Sequence, residues 1–317
     1  MNYKQKQYDH VINLIEQNHI FNGDKGNGIF RNKSYPFILE NNQNNLYSEI
    51  REDCEKYFSQ NHIAWWNGGL TNHPLSSQVA CLNHLFPFRC DAQAVLDIIR
   101  KIEPNITEVL PIQSKNPSDT VEQSEKLFIQ FEVISDHNHL NEKNSTRGSF
   151  CTSIDALIYG KHRDGRKFLF PIEWKYVENY SNSTKILAAG EKTRIQPYSK
   201  LIDSSIQLNT NNSCIYSNEP FYQLMRQTLW AEQMIAHKDI ETIKADDFIH
   251  IHVIPDGNHE LLAKIYKCSD KAMSKSWYSC LKNKDKYILR SPQSLLAPIQ
   301  NPQYQNLLFY LKERYWK

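Results

Sequence analysis

Apolar residues recur at helical spacing through most of the first third of the chain, and the pattern predicts helices over residues 3–18, 46–60, 75–86 and 91–103. In the last of these, Ala94, Val95, Ile98, Ile99 and Ile102 form one stripe, the pattern of an amphipathic helix laid on a core. Near residue 127 the period falls to two. The run LFIQFEVI (127–134) puts Leu127, Ile129, Phe131 and Val133 on one face and Phe128, Gln130, Glu132 and Ile134 on the other. TSIDALIY (152–159) sets Ile154, Ala156 and Ile158 against Ser153, Asp155, Leu157 and Tyr159. The pair Asp164-Gly165, a hairpin signal, separates it from a third strand, KFLFPIEWKYVE (167–178). A helix opening near Pro220 and running to about His237 follows, then a strand over DFIHIHVIP (247–255). Helix, three-strand meander, helix, strand is the order of an α/β layered domain, here with a helical N-terminal region added. Asn-rich stretches at 41–45 and 209–212 read as surface loops. No repeat or long linker divides the chain, so one elaborated domain is expected.

Composition narrows the class. With 317 residues, 40% of them hydrophobic, the chain can bury a sizeable core and is not disordered. No apolar run approaches the roughly 20 residues of a membrane helix. The opening MNYKQKQYDHVINLIEQ lacks the apolar stretch of a signal peptide, so a cytoplasmic protein is expected. The seven cysteines (54, 81, 90, 151, 214, 268 and 280) include no C-x-x-C pair and read as free thiols in a reducing compartment. His250 and His252 could pair on a metal, but a half-exposed strand face is the plainer expectation. No Gly-Lys-Ser/Thr loop is present, which argues against a nucleotide cofactor.

The chemistry concentrates in Asp155 and in Pro171-Ile172-Glu173-Trp174-Lys175. Glu173 and Lys175 share a strand face, and a hairpin can bring Asp155 beside Glu173. Two carboxylates beside one ammonium suit a hard divalent cation that takes oxygen ligands. Mg²⁺ would use Asp155, Glu173 and the main-chain carbonyl of Trp174, with a water near Lys175 as nucleophile. A surface salt bridge is the bland alternative, and Asp-x(n)-Glu-x-Lys by itself matches many chains. The context, two otherwise apolar strands joined by a turn, favours catalysis.

The string RGSFCTSIDALIYG…FPIEWKYVENY resembles the core of the PD-(D/E)XK nuclease superfamily, which includes many restriction endonucleases, and is most similar to bacterial restriction-endonuclease-like proteins. The resemblance extends upstream through NHPLSSQVACLNHLFPFR (72–89) and downstream through PFYQLMRQTLWAEQ (220–233), about residues 65 to 255. It implies a restriction-endonuclease-like αβββαβ core with a mixed central sheet flanked by helices, at 66–255. Residues 1–65 would be a helical extension and 256–317 a basic C-terminal one. By position, Asp155, Glu173 and Lys175 become the motif aspartate, glutamate and lysine, and the implied activity is Mg²⁺-dependent hydrolysis of DNA phosphodiesters, with Mn²⁺ as a substitute ion. Glu132, on the polar face of the preceding strand, is a candidate third carboxylate. Glu142 is a loop acid able to close on the site. Gln78 stands where many members carry a helical Glu and, lacking charge, suits a one-metal site or a substrate contact. Gln227 resembles a helical glutamine of several nuclease branches, and its neighbour Arg226 could reach a phosphate. Simple helix surface competes for Gln227 and Arg226, and ordinary exposure for Glu132. Glu178 either pairs with Lys175 or lies exposed.

Net charge, +2 overall, hides a division. Residues 161–200 carry +5 and residues 264–290 carry +6, leaving −9 on the other 250. Basic segments interleaved with Tyr198, Tyr266, Trp277, Tyr278 and Tyr287 could follow a phosphate backbone while rings stack on bases. For 264–290 a solvated surface over core aromatics is slightly preferred. The expected function is a DNA endonuclease in restriction or defence, and double-strand cutting makes a homodimer the natural assembly. The alternatives are a repair or recombination nuclease, or a catalytically silent nuclease-fold protein that binds DNA.

Overall fold

In the computed structural model, which describes residues 1–17, 19–65, 68–112, 126–143, 151–180 and 194–317, a mixed seven-stranded sheet runs through the centre of the chain. Four helices precede most of it: α1 (Tyr3–Gln17), α2 (Arg51–Gln60), α3 (Ser77–Leu85) and α4 (Ala92–Arg100). Each of the last two starts where a side chain supplies the missing acceptor. Ser76 Oγ accepts from Val79 N in α3, and Asp91 Oδ1 accepts from Gln93 N and Ala94 N in α4.

The strands are β1 (Ile106–Val109), β2 (Ile129–Val133), β3 (Ile154–His162), β4 (Lys167–Trp174), β5 (Asp247–Phe248), β6 (His250–Val253) and β7 (Tyr287–Arg290). The hairpin β3–β4 is the spine, paired antiparallel from Ala156↔Ile172 to Lys161↔Lys167. Gly165, at φ +90°, closes its turn in a conformation few side chains adopt. On one flank, β1 and β2 both pair antiparallel with β3, β1 near its C-terminal end and β2 near its N-terminal end. On the other, β5 and β6 run parallel to β4, and β7 runs parallel to β6.

Helices cover both faces. One face of the hairpin (Ile158, Phe170, Ile172, Trp174) packs under α1 to α4 and α7 (Gln305–Tyr315). The other (Leu157, Tyr159, Leu169) packs under α5 (Phe221–Ala236) and α6 (Met273–Cys280). This is a mixed α/β architecture compatible with a restriction-endonuclease-like fold. The chain's ends share one core: Tyr176 Oη donates to Gln7 Oε1 of α1 at 2.7 Å, and Asn83 Nδ2 of α3 donates to Tyr315 Oη of α7 at 2.8 Å. The two-sided cover also corrects one expectation. His250 and His252 do not lie on a half-exposed strand face; both are buried. Among the described residues, no helix is long and apolar enough to cross a membrane.

Candidate active site

Asp155 is the second residue of β3, and Glu173 is the last but one of β4. Continuing the ladder one step beyond Ala156↔Ile172 sets these two acids opposite each other. The strand end itself fixes Asp155, whose Oδ2 accepts the Trp174 N–H at 2.8 Å. Lys175 follows immediately, its own N–H tied to the Val253 carbonyl of β6 at 2.8 Å.

Helix α5 closes the site from above with two residues one turn apart. Gln227 Nε2 donates to Glu173 Oε2, and Gln223 Oε1 accepts from Lys175 Nζ at 2.7 Å. Lys175 Nζ also forms an ion pair with Glu173 Oε1, and side-chain exposures of 8% and 1% make this a buried pair. It is therefore not a surface salt bridge. Gln223 is absent from the candidates the sequence offers, although its i,i+4 spacing from Gln227 is a local signal of a shared helix face.

Glu132 joins from the side. Its backbone is left-handed, with φ +51°, and its carboxylate accepts from Gln78 Nε2 of α3 at 2.7 Å and from Ser153 Oγ at 3.1 Å. Gln78 thus serves as a neutral donor to an acid. Gln227 Nε2 reaches the Ser153 carbonyl as well, at 3.3 Å.

The electrostatics follow from this crowding. Burial, then the charges of Glu173 and Glu132, push the Asp155 carboxyl well above the usual range, with Lys175 and the Trp174 N–H offsetting only part. Burial disfavours the Lys175 ammonium, but Glu173, Tyr180, Glu178 and Asp155 outweigh it and hold its pKa well above the ordinary value. The buried Cys81 thiol beneath is pushed up by burial and then by the same three acids, Asp155, Glu132 and Glu173. One spot thus feels all three carboxylates.

The remaining candidates have other partners. Glu142 accepts from Thr152 N at 2.6 Å, from Thr152 Oγ1, from Tyr198 Oη at 2.7 Å and from Arg226 Nε at 3.2 Å. Arg226 also donates to Thr152 Oγ1 at 2.9 Å, so the two residues clasp the start of β3 to α5. Glu178 accepts from Tyr176 N at 2.6 Å.

The basic stretch does not flank the acids as its sequence position suggests. Lys161 and Lys167 pair at the turn end of the hairpin, six residues from Asp155 and Glu173, or about 20 Å along the strands. There Arg166 pairs with Asp164 and Asp247, and Lys286 with Asp247. That part of the basic stretch 161–200 is distant, and its Arg166 is already paired, while residues 181–193, like Arg147-Gly148, lie outside the described residues. Tyr198, Tyr266, Trp277 and Tyr287 are all buried, so they are core residues and not platforms for bases.

Among the described residues, no three His, Cys, Asp or Glu side chains form a closed metal-binding group. Asp155 and Glu173 nonetheless offer an all-oxygen donor pair, and their mutual repulsion is the kind a cation relieves. A hard ion that retains its waters needs only one or two carboxylates. No curated protein and no solved structure matches the chain significantly. A sequence profile for the family described as Restriction Endonuclease associating with ARP does match, over residues 12–316, and the chain belongs to that family.

Proposed function

We propose that this protein is a Mg²⁺-dependent DNA endonuclease of the PD-(D/E)XK type, acting in the cytoplasm in defence against foreign DNA. The observation that carries the reading is the convergence of Asp155, Glu173 and Lys175 at one strand end, with Lys175 held between Glu173 and Gln223. Membership of a restriction-endonuclease family makes DNA the natural substrate. The same description names ARP as an associated partner, and we extend that association to this chain.

Asp155, Glu173 and the Trp174 carbonyl would hold the ion, with Glu132 beside them. Bound Mg²⁺ supplies Lewis acidity at the phosphoryl group, and Mn²⁺ would serve in its place. The chain's own residues do the rest. An ammonium has three N–H donors; two on Lys175 are placed on Glu173 and Gln223, which aims the third at a phosphoryl oxygen. Charge that builds on that oxygen is met by a preoriented cation in a water-poor site. Gln227 keeps Glu173 Oε2 in place, and Gln78 and Ser153 keep Glu132 turned inward. A homodimer would bring two such sites to the two strands of a duplex.

The test is cleavage of supercoiled plasmid in Mg²⁺ or Mn²⁺. Wild-type protein should nick or linearise it, and Asp155→Ala and Lys175→Ala should each abolish cutting with folding retained. Equal cutting by either variant and wild type would overturn the assignment.

A further inference from the structure

We propose that the small hairpin at residues 28–35 reads bases in the DNA major groove, with Arg31 and Asn32 as the specificity-determining side chains; this rests on the DNA-nuclease reading above. Ile29–Phe30 pairs antiparallel with Lys33–Ser34, leaving Arg31 and Asn32 as a two-residue loop. Their φ values are +51° and +64°. Such a loop is the mirror-image turn that suits a right-twisted hairpin, and it favours Asn or Gly at both positions. Asn32 fits; Arg31 does not. A long side chain kept in the left-handed region at an exposed tip is backbone strain without a packing reason, and such strain collects where function holds it.

The tip is presented rigidly. Asn72 Nδ2 donates to the Ile29 carbonyl at 3.1 Å and to the Leu39 carbonyl at 2.9 Å, and Ser34 Oγ donates to the Asn27 carbonyl at 2.7 Å. Gly28 lies so close to the chain that a Cβ there would sit 2.0 Å from the Leu39 carbonyl oxygen. The anchored base carries an unanchored end. Arg31 has no ion-pair partner among the described residues and rests over the Phe30 ring at 5.4 Å, and Asn32 and Lys33 beside it are exposed. Ile29 is 70% exposed, an apolar contact of the kind a thymine methyl accepts. A cleft of about 660 Å³ opens beside the tip, lined by Phe30, Arg31, Asn41, Asn42, Thr71 and Asn72.

Position and chemistry then agree. The Phe30 ring packs edge-on against His73, with centroids 4.8 Å apart. His73 precedes α3, whose first turn carries Gln78 to Glu132 in the active site. Gln78 is five positions after His73, at most about 18 Å of chain. The hairpin and the acids are thus joined through the same end of one helix. A two-stranded ribbon fits the major groove, where Arg pairs with the O6 and N7 of guanine and Asn with the N6 and N7 of adenine. Lys33 is placed for the phosphate backbone.

Two measurements test this. The first sequences the ends produced from plasmid DNA by wild type, Arg31→Ala, Asn32→Ala and Lys33→Ala. Wild-type ends should share a sequence preference. Arg31→Ala and Asn32→Ala should each lower discrimination at one base position by about 5- to 150-fold, while Lys33→Ala weakens binding to all sequences alike. The second selects bound duplexes from a randomised 40-base-pair pool with wild type and with Arg31→Ala, and needs no cutting. Base preference in that pool, lost in Arg31→Ala, upholds the inference even if the protein cleaves nothing and the nuclease reading falls. Wild-type ends and selected duplexes without any preference, or a preference unchanged in Arg31→Ala and Asn32→Ala, would overturn the inference and leave cleavage by Asp155, Glu173 and Lys175 standing.

Discussion

Replacing Lys175 with methionine keeps most of the side chain's bulk and removes its charge. Glu173, 1% exposed, then keeps its carboxylate with Gln227 as its one remaining donor among the described residues, and Asp155 loses the cation that partly offset Glu173 and Glu132. Removing one partner of a buried pair destabilises a protein by about 3–5 kcal/mol. For 317 residues the entropy of unfolding is about 0.67 kcal/mol/K, from about 2.1 cal/mol/K per residue, so Lys175→Met should lower Tm by about 5–7 °C. The loss comes from an uncompensated charge, so neutralising the partner should reverse it. Lys175→Met/Glu173→Gln should regain at least half of the difference. Mg²⁺ should act in the same direction on the single variant, adding about 2.7 kcal/mol, or about 4 °C, at a hundred times its Kd. Thermal unfolding followed by circular dichroism in EDTA and in Mg²⁺ checks all three. A single variant within about 1 °C of wild type, or a double variant no more stable than the single, would show that the pair does not carry this charge balance.

Other outcomes follow from the same contacts. Gln227→Leu removes the donor to Glu173 Oε2 and should lower plasmid cutting by about 10- to 100-fold with DNA binding retained, as read from cleavage rates and mobility shifts. Arg226→Met should cost about 3 kcal/mol in urea unfolding because it leaves Glu142, whose side chain is 5% exposed, without its cation, while the salt dependence of DNA binding stays that of wild type. Burial depresses the His250 pKa to about 3. The unfolded chain binds this proton below about pH 6.5, so the stability held by neutral His250 is complete above that pH and is lost as pH falls toward 3. At pH 5 the loss is about 2 kcal/mol. His250→Phe should therefore lose about that much less stability than wild type between pH 7 and pH 5, and parallel pH profiles would count against the assignment.

Much of this was written locally. The long elements follow from periodicity alone, because each has a run of apolar residues at one spacing: the stripe Ala94 to Ile99 made α4, and the apolar run of β4 made a strand buried on both faces. The segments that escaped were short. Neither ITEV (β1) nor YILR (β7) has enough residues to establish a period, and each is a strand only because β3 or β6 offers it an unpaired edge. Asp155, Glu173 and Lys175 could be singled out because charged residues interrupted apolar strands, and such interruptions stand out.

Their surroundings could not be read so. Alternation puts Glu132 on the polar face of β2, but its partner Gln78 lies 54 residues away and no local pattern names it. Glu142 looked like a loop acid free to approach the site and is instead satisfied by Thr152, Tyr198 and Arg226, partners 10, 56 and 84 residues away. The basic stretch near residue 161 is close to the acids in sequence but not in space, because an antiparallel hairpin carries its turn to the far end. By itself, then, the sequence determined which segments are amphipathic and which charges interrupt them, since both are properties of neighbours in the chain. Only the tertiary structure decided which of those charges face one another and which are already paired. Coulomb energy depends on separation in space and on burial, and both arise when distant segments pack.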